Sequence, residues 1–193
     1  AGGDGGSITL RLDGLTLADS SLITARTTGQ GNGGAISIQD RSVDNPDLDL
    51  LITNQNLNTS TTGAGDAGAI TVAARSLTLS DDGALISSST DDPTMPKATG
   101  KAGSITVTAN TVTLSDRGQI AATTVDGDSL PGQAGGEGGN ITLNVNTLAV
   151  TGGAQVTAAT SGSGTAGNIT VRGRDSTDLN PTVATLVELS GSR

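Results

Sequence analysis

The chain has 193 residues and a formal net charge of -9, with 10 Lys and Arg against 19 Asp and Glu, and it contains 29 Gly but no Phe, Trp, Tyr, His or Cys. Basic residues so few and scattered exclude a nucleic-acid binder, which needs clustered Lys and Arg against the phosphates, and the lack of Cys excludes disulfides and thiolate metal sites. Without aromatic side chains the interior must be filled by Ile, Leu, Val and Ala, which suits a narrow core built from identical layers.

From the N-terminus onward one short motif recurs. It stands at Gly6-Ser7-Ile8-Thr9-Leu10, Gly34-Ala35-Ile36-Ser37-Ile38, Gly68-Ala69-Ile70-Thr71-Val72, Gly103-Ser104-Ile105-Thr106-Val107, Gly139-Asn140-Ile141-Thr142-Leu143 and Gly167-Asn168-Ile169-Thr170-Val171. The lead isoleucines are 28, 34, 35, 36 and 28 residues apart, a stem of 28 lengthened by insertions. A fixed period of this size is the signature of stacked repeats. It divides the chain into coils 6–33, 34–67, 68–102, 103–138, 139–166 and an incomplete 167–193.

Each coil contains three runs in which apolar and polar residues alternate, the period of half-buried strands. The first coil reads Ile8-Thr9-Leu10, Leu15-Thr16-Leu17 and Ile23-Thr24-Ala25. In the second, the segment from Arg41 to Pro46 displaces the second run to Leu48-Asp49-Leu50, an insertion of 5 residues, and centres the third on Leu57. The third coil reads Ile70-Thr71-Val72, Leu77-Thr78-Leu79 and Ile86-Ser87-Ser88, and the fourth Ile105-Thr106-Val107, Val112-Thr113-Leu114 and Ile120-Ala121-Ala122. The fifth gives Ile141-Thr142-Leu143, Leu148-Ala149-Val150 and Val156-Thr157-Ala158, and the sixth detours from Arg174 to Pro181 before Val187-Glu188-Leu189. Pro, Gly, Asp and Lys dominate the other insertions, Thr90 to Lys101 and Val125 to Gly138, as in exposed loops.

Short strands, polar corners and like residues on like predict an all-β fold, a right-handed parallel β-helix (β-solenoid) with three short strands per coil and about five and a half coils. At about 4.8 Å per step it would rise roughly 26 Å. The core stack is then Ile8, Ile36, Ile70, Ile105, Ile141 and Ile169, each worth roughly 1.5–3 kcal/mol buried. An antiparallel sandwich would also accommodate short strands and turns, but gives no reason to repeat one strand at one register.

These repeats carry a resemblance. Gly167 to Val171, Leu77 to Asp81, Gly153 to Thr160 and the Gly-rich Ser161 to Gly167 are similar to repeats of filamentous-hemagglutinin-like exoproteins of two-partner secretion, especially cyanobacterial ones, and Val171-Arg172 with Val187 to Gly191 resembles another of their segments. The resemblance implies a right-handed β-helix exported through a partner outer-membrane β-barrel transporter and displayed or released as an adhesin or fibre. No region matches the family's N-terminal secretion domain. No basic and apolar leader opens the chain and no stretch reaches the roughly 20 apolar residues of a membrane span. Because Ala1-Gly2-Gly3 runs directly into repeat material, the chain reads as an internal piece of a longer, secreted or surface-exposed polypeptide. Terminal coils with unpaired edges would invite head-to-tail self-association.

Function therefore reads as structural or adhesive: a rigid stalk whose insertions meet a surface glycan or protein through Asp91, Asp92, Lys97, Lys101, Asp126, Asp128 and Glu137. A different reading starts from the outward column Thr9, Ser37, Thr71, Thr106, Thr142 and Thr170, whose hydroxyls at about 4.8 Å steps resemble the faces of ice-binding solenoids. Threonine is also simply the polar residue that best suits a pleated surface. Catalysis is not expected, although polysaccharide enzymes share the fold, because neighbouring acids such as Asp81 and Asp82 fall in turns where they serve the backbone. No cofactor is expected. Calcium is the one metal with a candidate site, Asp81 and Asp116, at equivalent corners about 5 Å apart.

Overall fold

A computed structural model describes residues 2–28, 30–42, 47–90, 100–125, 136–161, 164–174 and 186–189, with backbone alone for 86–90, 125 and 186–189. The strands are, in chain order, β1 (Ile8–Leu12), β2 (Gly14–Leu17), β3 (Leu22–Thr24), β4 (Thr27–Thr28), β5 (Ile36–Asp40), β6 (Asp49–Thr53), β7 (Asn56–Asn58) and β8 (Thr61–Thr62). They continue as β9 (Ile70–Ala73), β10 (Ser76–Ser80), β11 (Ala84–Thr90), β12 (Ile105–Leu114), β13 (Gln119–Val125), β14 (Ile141–Val150), β15 (Gln155–Thr160), β16 (Ile169–Arg172) and β17 (Leu186–Leu189). No helix occurs among the described residues.

Among the described residues all pairings are parallel and join one coil to the next, so the sheets stack as a β-solenoid. A sheet of 10 strands holds the first and second runs, and a sheet of 7 holds the third. The first-run register passes without a slip from Ile8 to Ile36, Ile70, Ile105, Ile141 and Ile169. In β12 and β14 the first and second runs are a single strand of 10 residues, so there the corner between them needs no break in the ladder.

The interior is aliphatic because alternation sends every second side chain inward. Ile36, Ile70, Ile105 and Ile141 are fully buried, on top of Leu50, Leu77, Val112 and Leu148 in the second run and Leu57, Leu85 and Ile120 in the third. Ile8 is half-buried, and Ile169, though in register, is 46 % exposed. The expected stack is thus corrected at its end: Ile169 has a coil on one side only among the described residues. The glycine before each lead isoleucine is explained by close approach. A Cβ at Gly34, Gly68, Gly103, Gly139 or Gly167 would stand 2.1–2.2 Å from the carbonyl oxygen of the matching glycine one coil back.

Between the second and third runs the chain turns through a pair of residues with positive φ: Asp19 and Ser20, Asp81 and Asp82, Asp116 and Arg117, Gly152 and Gly153, with Asn54 alone in the second coil. Four of these turns close with an i→i+3 bond, for example Gly83 N–H to Ser80 O at 2.8 Å and Gly118 N–H to Ser115 O at 2.7 Å. Asp, Asn and Gly are the residues that best tolerate the left-handed region. The turns also bond to one another, Asp82 N–H to Asp116 O at 3.1 Å and Arg117 N–H to Gly152 O at 3.0 Å.

Two expected registers are corrected. The second run of the second coil is Leu50-Leu51-Ile52, because Leu50 pairs with Leu15 and Leu77. The insertion is therefore 7 residues: 14 separate Ile36 from Leu50 where 7 separate Ile8 from Leu15. Leu48 is buried ahead of the strand, its N–H held by the Asp40 carboxylate. In the third coil the residue matching Ile23, Leu57 and Ile120 is Leu85, and Ile86 falls at the position of Asn58 and Ala121. Turn length decides between the two neighbours, since a one-residue slip would reverse every side chain of the strand.

Candidate functional site

Three surfaces carry the chemistry. The first is the outward face of the first run. Thr9, Ser37, Thr71, Thr106, Thr142 and Thr170 pair in one register, Thr9 exposed and the others half-buried. The next outward column is mixed: Arg11, Gln39, Ala73, Thr108, Asn144 and Arg172. Arg172 Nε donates to Asn144 Oδ1 at 2.6 Å, and Asn144 Nδ2 donates to Thr108 Oγ1 at 3.0 Å, so the column is bonded from coil to coil.

The second surface is the left-handed corner. Asp81 and Asp116 stand on adjacent turns and line one open groove with Arg117, Gly152 and Gly153. Arg117 reaches back to Asp82, at 2.8 Å from Nε and 2.6 Å from Nη2. That contact, with the nearby Asp81 and Asp116 charges, raises the Arg117 pKa further above its usual value. A cation is thus already present beside the two carboxylates proposed for calcium.

The third surface is the corner between the first and second runs. Among the described residues, one group of three acids, Asp13, Asp40 and Asp47, has carboxylate oxygens within 4.8 Å of one another. Asp13 pairs with Arg41 at 3.3 Å. Asp40, buried, accepts the backbone N–H groups of Ser42 at 2.7 Å, Asp47 at 2.5 Å and Leu48. Burial pushes its carboxyl up, but the bonds from Leu48, Ser42 and Asp47 outweigh that and hold it below the usual aspartate value. Its role is to gather loose backbone donors where the chain rejoins the ladder. Across the same corner Arg75 donates from Nε to Asp49 Oδ1 at 3.0 Å, and this bond, with Ser76, lowers the Asp49 pKa.

Of the residues expected in the loops, Asp91, Asp92, Lys97, Asp126 and Asp128 lie outside the described residues. Lys101 and Glu137 are brought together as an exposed ion pair at 2.7 Å. Their backbones belong to the stacked corner, Ala67 N–H bonding to Lys101 O at 2.8 Å and Ala102 N–H to Glu137 O at 2.9 Å. The pair closes a corner between adjacent coils, and half-exposed pairs of this kind add little stability.

An internal hydroxyl column escaped the sequence reading. Thr27, Thr61, Ser89, Thr124 and Thr160 are in register beyond the third run. Thr27, Thr61 and Thr124 are buried. Their hydroxyls clamp the Gly-rich segments inside the rod: Thr27 to Asn32 O at 2.9 Å, Thr124 to Glu137 O at 2.7 Å and Thr160 to Gly136 O at 3.0 Å. The available signal was a Thr two residues after a buried Ala. Comparison of the chain with protein-family models, curated proteins and solved structures finds no match.

Proposed function

We propose that the chain is a rigid segment of a secreted or surface-displayed exoprotein of the filamentous-hemagglutinin-like kind. In this reading it is a right-handed β-helix of about five and a half coils, three main strands to a coil, delivered through a partner outer-membrane β-barrel. It acts as a stalk that holds inserted loops at the surface of a rod. The observation that carries this reading is the unbroken first-run register from Ile8 to Ile169. Backbone bonds that repeat through the whole length resist bending, and neighbour-only contacts let the chain fold progressively as it emerges.

A coil deletion tests it. Removing 103–138 joins Ala102 to Gly139 and re-creates the Ala-Gly-x-Ile seam. A stalk should keep its fold and shorten by about 4.8 Å in small-angle scattering. Loss of the fold would overturn the modular rod.

A second reading has one observation in its favour, the registered Thr9 to Thr170 column, which suits an ice- or crystal-binding face. Arg11, Gln39, Asn144 and Arg172 project beside it and break the flatness that such a face needs. Inhibition of ice recrystallisation, abolished by Thr106→Lys, would favour this alternative over the stalk.

A further inference from the structure

The two end faces of the rod fit one another. At Gly34, Gly68, Gly103, Gly139 and Gly167 a Cβ would stand 2.1–2.2 Å from the matching glycine oxygen of the coil behind. On Gly6 it would meet nothing within 4 Å, and the φ of Gly6 lies outside the left-handed region, so no contact or backbone demand calls for glycine there. A companion column repeats this. A Cβ on Gly31 or Gly65 would stand 2.2 or 2.0 Å from Gly3 O or Gly31 O, while one on Gly3 would meet nothing. Two glycines, three residues apart, thus hold open the approach of a further coil. At the opposite face, Ile169 N–H and Asn168 Oδ1 have no partner among the described residues, whereas one coil back Ile141 N–H reaches Asn168 O at 2.8 Å and Asn140 Oδ1 accepts from Asn168 N–H at 2.8 Å. Ile169 and Val171, in register with the buried Ile141 and Leu143, are 46 % and 37 % exposed.

We infer that these faces join copies of this chain head to tail, with Ile8 of the next copy on Ile169. The joint then repeats the seams inside the rod. Ser7 of the next copy supplies the carbonyl for Ile169 N–H, as Asn168 does for Ile141, and the N–H for Asn168 Oδ1, as Asn168 does for Asn140. Leu10 covers Val171, Thr9 continues the hydroxyl column beyond Thr170, and Gly6 lies over Gly167, where no larger residue fits. The occupant that both faces specify is a coil with glycines at both seam positions and a parallel edge in this register, and the chain itself presents one at Gly164 and Gly167. β17 offers its edge to β2, but β3 of the next copy meets no third strand of a sixth coil among the described residues, so the joint is weaker than an internal seam and reversible. Arg11 falls on Arg172, and like charges placed opposite one another weaken it further. The contact is heterologous, so each addition leaves an open face and the product is a filament. This assignment depends on coil stacking and not on the exoprotein reading.

Sedimentation velocity of the 193-residue chain over a concentration series tests this. Mean mass should rise with concentration, and more steeply at high salt, which screens Arg11 from Arg172. Gly6→Ala should abolish association yet leave the thermal melt of the dilute chain as it is, because its Cβ enters open space. Arg11→Asn should strengthen association about threefold, since Asn144 shows that an amide in this column accepts from Arg172. Ile169→Glu, at a position already exposed, should also give monomers that keep their fold. Mixed in equal amounts, the Gly6→Ala and Ile169→Glu chains, each with one intact face, should pair one to one and grow no further. A wild-type chain that stays monomeric at every concentration, growth of the Gly6→Ala chain, or no pairing in the mixture would each overturn the assignment. A failure here leaves the stalk reading standing, since that depends on the coil deletion.

Discussion

The two corners of the larger and smaller sheets are built on opposite rules. From second run to third, inward positions are 6 residues apart at Leu17 and Ile23, Leu79 and Leu85, Leu114 and Ile120, Val150 and Val156, and 5 at Ile52 and Leu57, where Asn54 alone has positive φ. From first run to second the separation runs from 7 at Ile8 and Leu15 to 18 at Ile169 and Val187. The left-handed pair closes its own hydrogen bond and bonds to the pairs above and below, so an extra residue breaks both. The other corner is ordinary extended backbone, and a chain can leave it and return wherever one side chain, here Asp40, satisfies the donors at the point of return. Variation accumulates where the backbone makes no special demand.

The largest effect should come from Ile105→Asp, which puts an unpaired charge between Ile70 and Ile141 and removes the core on which both corners rest. A loss of about 4 kcal/mol or outright failure to fold is expected in urea titration. Wild-type stability would refute the inward assignment. Next, Gly103→Ala sets a Cβ 2.1 Å from Gly68 O, so the coils must part, at about 3 kcal/mol. Amide exchange should rise along Ile105 to Thr108 while the Arg117 amide, on the left-handed corner, keeps its protection.

A matched pair of insertions separates the corners directly. Gly-Ser-Gly-Ser between Arg117 and Gly118 should lose about 3 kcal/mol, because it removes the turn bond and the stacked bonds of Asp82 and Arg117. The same tetrapeptide between Asn110 and Thr111 should lose about 1 kcal/mol, mainly loop closure. Equal losses would erase the distinction drawn between the corners. The smallest effect concerns pH. The folded Asp40 pKa lies below its ordinary 3.8, so its contribution is fully present above that value and disappears as pH falls through the lowered one. Asp40→Asn should therefore flatten the fall in melting temperature below about pH 4 and shift it little in slope between pH 5 and 8. An unchanged acid limb would remove Asp40 from its role as clamp.

Much of the rod could be read from the repeats. The lead isoleucines and the outward Thr column fall at matching registers because equal strands stack on equal strands. The errors have specific causes. Leu85 and Ile86 are adjacent and both apolar, and only the turn at Asp81 and Asp82 selects between them. The return point after Arg41 could be set at Leu48 or Leu50 by pattern, and the Asp40 carboxylate, which draws Leu48 inward before the strand begins, chooses the latter. The internal threonines were missed because a buried hydroxyl is legible only when its partner carbonyl, five to thirty residues away, is placed.

By itself the sequence determined the all-β class, the direction in which most side chains face and the glycines at each seam, since these follow from period and from side-chain size. The tertiary structure alone decided which apolar neighbour enters the core, where insertions rejoin the ladder, and that the Arg174 guanidinium reaches back to Asn110 Oδ1, two coils away. Those outcomes depend on hydrogen bonds and approaches between residues distant in the chain, and a local pattern contains no information about a partner that only stacking supplies.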